Sequence, residues 1–116
     1  NQDSEEDIDW LTKKITNMRL FSDENGKMNL SIQEVEGEIL SISQFTLFAS
    51  TKKGNRPSFI KSAKAEFAKK MYDLFNGSLK TNMNKEVQKG VFGADMQVEL
   101  VNDGPVTILL DSKNKE

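Results

Sequence analysis

Apolar residues recur at helical spacing through Ile8, Leu11, Ile15 and Met18, within "SEEDIDWLTKKITNMRLF". The spacing predicts an amphipathic helix, with Ser4 as N-cap and acidic residues in the first turn, where they suit the helix dipole. The pattern then changes period. Met28, Leu30 and Ile32 alternate after Asn25-Gly26, a dipeptide suited to a tight turn, so a hairpin is expected. "EGEILSISQFTLFA" carries apolar residues on both parities: Ile39, Phe45 and Leu47 on one, Leu40, Ile42 and Phe48 on the other. A central strand covered on both faces reads this way, and Gly37 marks the turn or bulge ahead of it.

A second helix is expected from about Ser62, with Phe67, Met71, Leu74 and Phe75 as its stripe, Ala68 and Tyr72 alongside, and Asn76-Gly77 weakening or ending it. "TNMNKEVQKG" reads as a polar connection with room for a short strand. Met96, Val98 and Leu100 alternate against Gln97 and Glu99, and "VTILLDS" reads as a last strand before a frayed "KNKE". Hairpins mixed with two helices give an α+β class, mixed and antiparallel sheets packed with the helices, in a single domain over 1–116.

Composition narrows the chemistry. The 116 residues are 36% hydrophobic and 29% charged, with a net charge of −2, as expected of one soluble domain that is not globally basic. The sequence has no Cys and no His. A thiolate nucleophile, a His base, and the common Cys or His metal sites are therefore excluded, and a cytosolic home is weakly favoured. No run approaches membrane-spanning length. The carboxylates Asp95, Glu99 and Asp103 have no spacing that selects a metal or glycosidase site, and "DENG" is only part of a calcium loop. Asn1 in place of Met marks a processed, trimmed or incomplete chain.

Three stretches could carry function, and each has a plainer reading. Ser43-Gln44-Phe45-Thr46 places hydrogen-bonding side chains in an apolar strand, with Ser43 and Phe45 facing one way and Gln44 and Thr46 the other. Free backbone N–H groups at such a strand end can hold an oxyanion; equally, the hydroxyls can serve neighbouring strands. Gly104-Pro105, after Asn102-Asp103, is by composition a turn. Lys52, Lys53 and Arg56 form a basic loop, either solvated surface or a landing place for phosphates.

Together, "SQFTLFA", "NDGPVT", "KKGNRPSF", "FGADMQV" and the "RLFSDENGKMN" hairpin closely resemble the D-aminoacyl-tRNA deacylase family, across roughly Asp7 to Leu110. The resemblance implies a layered β-β-α sandwich and hydrolysis of the ester joining a D-amino acid, or glycine, to the 3′-terminal adenosine of tRNA. It implies a homodimer in which a cis Gly104-Pro105 pair reaches into the partner's site, meets the substrate's α-amino group and leaves no room for an L side chain. Ser43, Gln44, Phe45 and Thr46 would line the pocket, Phe92 and Met96 would flank the adenosine, and Ala68 would lie near the rim. Lys52, Lys53 and Arg56 would meet the tRNA body. No metal or other cofactor is implied.

Thr46 is one candidate nucleophile, and the substrate's own 2′-hydroxyl is the other candidate for the chemistry. The second is favoured, because a Thr hydroxyl needs an activating base and no His, Cys or obvious Lys stands near Thr46 in sequence. Family members carry further strands ahead of the segment matching Ile8–Phe21. Without them, strand edges should be exposed. The alternatives are a non-catalytic RNA- or protein-binding module on the same fold, or an inactive truncated fragment.

Overall fold

A computed structural model describes residues 4–44, 51–52, 54–56 and 64–115. The elements run α1 (Glu5–Asn17), β1 (Phe21–Ser22), β2 (Met28–Leu30), β3 (Leu40–Ser41), α2 (Ala65–Met83) and β4 (Gln88–Lys89). This is the expected α+β class.

α1 begins at Ser4, whose backbone N–H donates to Asp7 Oδ2 at 2.8 Å and whose hydroxyl donates to the same oxygen at 3.2 Å. The side chains it buries most deeply are Ile8, which belongs to the expected stripe, and Thr12 and Thr16, one position on from Leu11 and Ile15, which are only half-buried. The reason is that threonine can satisfy its own hydroxyl inside a helix. Thr12 Oγ1 donates to the Ile8 carbonyl at 2.8 Å, and Thr16 Oγ1 to that of Thr12 at 2.9 Å. Both can then pack inward as small, nearly apolar groups.

α2 packs against this face. Its course corrects the expectation of a break at Asn76-Gly77, because the helix continues to Met83. Beyond the glycine it places Ser78 and Asn82 on α1, and Leu79 is 1% exposed. A helical Gly costs about 1 kcal/mol relative to Ala, whereas fully burying a leucine returns about 1.5–3 kcal/mol. The helix ends at Asn84, in the left-handed conformation at φ 52°, with its N–H on the Lys80 carbonyl.

The hairpin forms as expected. Phe21 pairs with Leu30 and Ser22 with Met28, antiparallel, and Gly26 takes φ 74° in the turn. Asp23 closes that turn by accepting the Lys27 and Asn25 N–H groups. These bonds, Lys27 first, hold its carboxyl below the usual range. A single helical turn follows and ends at Gly37, whose N–H donates to the Ile32 carbonyl at 2.8 Å. A Cβ on Gly37 would stand 2.8 Å from Ile32 Cγ1, so Gly37 serves a turn. Lys85 Nζ donates to the Glu36 and Gly37 carbonyls and ties this turn to the end of α2.

β3 and β4 pair in parallel, Leu40 with Gln88 and Ser41 with Lys89. A parallel pair needs a long crossover, and α2 lies on that connection. The short strand allowed for in "TNMNKEVQKG" is thus β4. The central strand is shorter than expected over its described part, and Phe45–Ser50 lie outside the described residues.

Two expected strands do not appear among the described residues. Residues 96–100 and 106–112 make no ladder among the described residues. Leu100 is 71% exposed, Val101 92% and Leu109 94%. Alternation records which face is to be covered; it does not supply the neighbour whose backbone must close the ladder. The expectation of a frayed end is corrected as well. Lys113 Nζ reaches Asp7 Oδ2 at 3.0 Å, and Lys115 Nζ sits 5.2 Å from the centre of the Trp10 ring, so the last described residues lie across α1.

Candidate active site

The main cavity has a volume of about 520 Å³. It lies where three elements converge. Ile42, Ser43 and Gln44 enter it from the chain leaving β3. Ala65 and Ala68 enter from the first turns of α2. The opposite wall is the turn after β4, contributing Phe92, Gly93, Ala94, Asp95, Met96 and Val98.

The local sequence explains the shape. Ala65 and Ala68 are three residues apart, so they share a helix face and leave room beside it. The Ala94 N–H donates to the Val91 carbonyl at 3.2 Å, and Gly93 takes φ 76°, turning the chain back over the cavity. Met96 is held against Gly90, where a Cβ would fall 2.7 Å from the Met96 sulfur. The Phe92 and Tyr72 rings pack tilted, with centroids 5.9 Å apart. The lining is mainly apolar, with Ser43 and Gln44 as hydrogen-bonding side chains and Asp95 as its carboxylate among the described residues.

The cavity gathers five residues singled out from the sequence: Ser43, Gln44, Ala68, Phe92 and Met96. Phe45 and Thr46 lie outside the described residues. Gly104 and Pro105 do not line this cavity; the bond between them is cis, and Gly104 takes φ 130°. Lys52 and Arg56 are exposed and do not line this cavity, while Lys53 lies outside the described residues. Sequence reasoning missed Asp95 as a lining residue and Tyr72 as a support. The only signal for Tyr72 was a hydroxyl-bearing ring beside an apolar stripe. Among the described residues, no group of three or more acidic, His or Cys side chains could hold a metal ion. No described helix is long and apolar enough to cross a membrane.

A small, mostly apolar cavity with a few hydrogen-bonding groups has the general form of a site for a small organic group. Comparison with known proteins sharpens that class. Residues 1–111 match the family model of D-Tyr-tRNA(Tyr) deacylase, and the chain belongs to that family. A D-aminoacyl-tRNA deacylase of Flavobacterium johnsoniae is 62% identical over 114 residues, covering 98% of this chain and 76% of the relative. One from Bacteroides fragilis is 66% identical over 114 residues with the same coverage. Among solved structures, a protein named c-Myc DNA Unwinding Element Binding Protein superposes with a TM-score of 0.83 at 39% identity, over 92% of this chain and 72% of that one.

Proposed function

We propose that this chain is a hydrolase of D-aminoacyl-tRNA, and of glycine mischarged on tRNA(Ala), releasing the free amino acid and tRNA. The observation that carries the reading is the convergence of Ser43, Gln44, Phe92 and Met96 on one cavity, in a chain whose relatives bear the name D-aminoacyl-tRNA deacylase. In this reading Phe92 and Met96 flank the terminal adenine. Ser43, Gln44, Phe45 and Thr46 orient the ester, with backbone N–H groups stabilising the charge that develops on its carbonyl oxygen.

Water attacks the ester carbonyl, the bond to the ribose 3′-oxygen breaks, and that oxygen leaves with a proton. The neighbouring 2′-hydroxyl orients the water. The absence of His and Cys from the sequence supports this division of labour, since Thr46 would otherwise need a base to become a nucleophile.

The working unit is a homodimer. Gly104 and Pro105 of one copy reach the other's cavity, and their carbonyls hold the D-amino acid's ammonium group where an L side chain would collide. Two features support this arrangement: the pair stands outside its own chain's cavity, and the flanking Leu100, Val101 and Leu109 expose apolar surface. Lys52, Lys53 and Arg56 meet phosphates of the tRNA body, and the enzyme works in the cytoplasm, where charged tRNA is used.

Charged tRNA ending in adenosine or in 2′-deoxyadenosine tests this chemistry. D-amino acid should be released from the first, with most of the turnover lost on the second. No release from either would count against a deacylase, and equal release from both would count against the 2′-hydroxyl. The name of the structural neighbour favours one other reading, a nucleic-acid-binding module without catalysis; tight tRNA binding with no ester cleavage would select it.

A further inference from the structure

We propose that Tyr72 is the positioning residue that sets the distance between the two walls of the cavity. The inference rests on the deacylase reading above. Tyr72 lies in α2, one turn beyond Ala68, which itself lines the cavity. Its hydroxyl donates to the Ser41 carbonyl at 2.9 Å. That same carbonyl accepts the Gly90 N–H at 3.1 Å. Ser41 is the last residue of β3, two positions before Ser43, and Gly90 opens the turn that carries Phe92 and Met96. The Tyr72 ring meets the Phe92 ring, with centroids 5.9 Å apart at an interplanar angle of 42°.

One side chain therefore joins the helix wall to both others. It acts through a hydrogen bond on the Ser43–Gln44 side and through ring packing on the Phe92 side. The two attachments should have separable effects. The hydroxyl fixes where the strand end presents its donors to the ester, a matter of orientation in the transition state. The ring supports Phe92, which stacks on the adenosine in the bound state. Tyr72 itself does not line the cavity.

Steady-state deacylation of D-aminoacyl-tRNA by Tyr72→Phe and Tyr72→Leu, beside the unaltered protein, tests the assignment. Tyr72→Phe keeps the ring and the fold, and should lower kcat about tenfold with little change in KM, since small misplacements at a site cost rate steeply. Tyr72→Leu should raise KM several-fold as well, and adding Phe92→Leu should raise it little further, because coupled neighbours are not additive. With kcat taken per folded molecule, a purely structural role would lower the melting temperature and leave kcat and KM unchanged in both variants, which would overturn the assignment. Unaltered kcat in Tyr72→Phe with normal turnover by the parent overturns the positioning role alone. A parent without turnover overturns the deacylase reading and the positioning role with it.

Discussion

Thr12 Oγ1 and Ser78 Oγ lie 2.8 Å apart across the contact between the two helices, at a Thr12 side chain with no exposed surface. Thr12 Oγ1 also lies 2.8 Å from the Ile8 carbonyl, and Asn82 Nδ2 donates to it at 3.2 Å. The helix pair is thus joined by a small polar network as well as by Ile8 and Leu79.

Replacing Thr12 by Val keeps the shape and removes the acceptor. It should cost about 1 kcal/mol, the low end of the penalty for leaving a donor unmet, because Ser78 and Asn82 are only half-buried. Urea titration of Thr12→Val against the parent measures this; an unchanged midpoint would show that Ser78 and Asn82 find other partners.

Asp7 gives the fold an acid-sensitive contact. The Ser4 backbone N–H, then Lys113 and Ser112, hold its carboxyl well below the ordinary range. A depressed carboxylate stabilises the folded state fully above its unfolded value, about 4, and loses that contribution as the pH falls towards the folded value. Asp7→Asn should therefore melt lower than the parent at pH 7, and the difference should shrink by pH 3. A gap that widens on acidification would contradict the assignment.

These contacts show what patterning could reveal. The 3.6-residue period located α1, but the buried pair Thr12 and Thr16 was hidden because threonine is counted as polar, although its hydroxyl closes onto its own helix. Asn76-Gly77 looked like an end because propensity is local, while Leu79 is buried by a partner helix distant in sequence. The alternation at 96–100 marked a face with no ladder beside it among the described residues. At the site, Ser43, Gln44, Phe92 and Met96 were legible because their motifs were recognised, and Ala68 only through what the family resemblance implies. Tyr72 was not, since its task appears only when Ser41 and Phe92 come together in space.

Gly104 stands at φ 130°, where a Cβ would lie 3.2 Å from the Val106 nitrogen. Gly104→Ala should strain the loop by about 1–3 kcal/mol. Deacylation or discrimination against L-substrates should fall, with the helical circular dichroism retained. Parental kinetics in this variant would remove Gly104 from the site.

Lys52 and Arg56 are exposed and do not line the cavity, so binding and chemistry should separate there. Changing Lys52 and Lys53 to Ala should flatten the dependence of tRNA affinity on salt by roughly 0.7–0.9 per lost phosphate contact. Turnover at saturating tRNA should change less. An unaltered slope would make the loop ordinary solvated surface.

Chirality is the most direct test of the account. Equal concentrations of D-tyrosyl-tRNA and L-tyrosyl-tRNA should be offered to the protein, and amino-acid release followed over time. The account predicts rapid release of D-tyrosine with the L-ester left intact; comparable rates for the two, or release of neither, would contradict it.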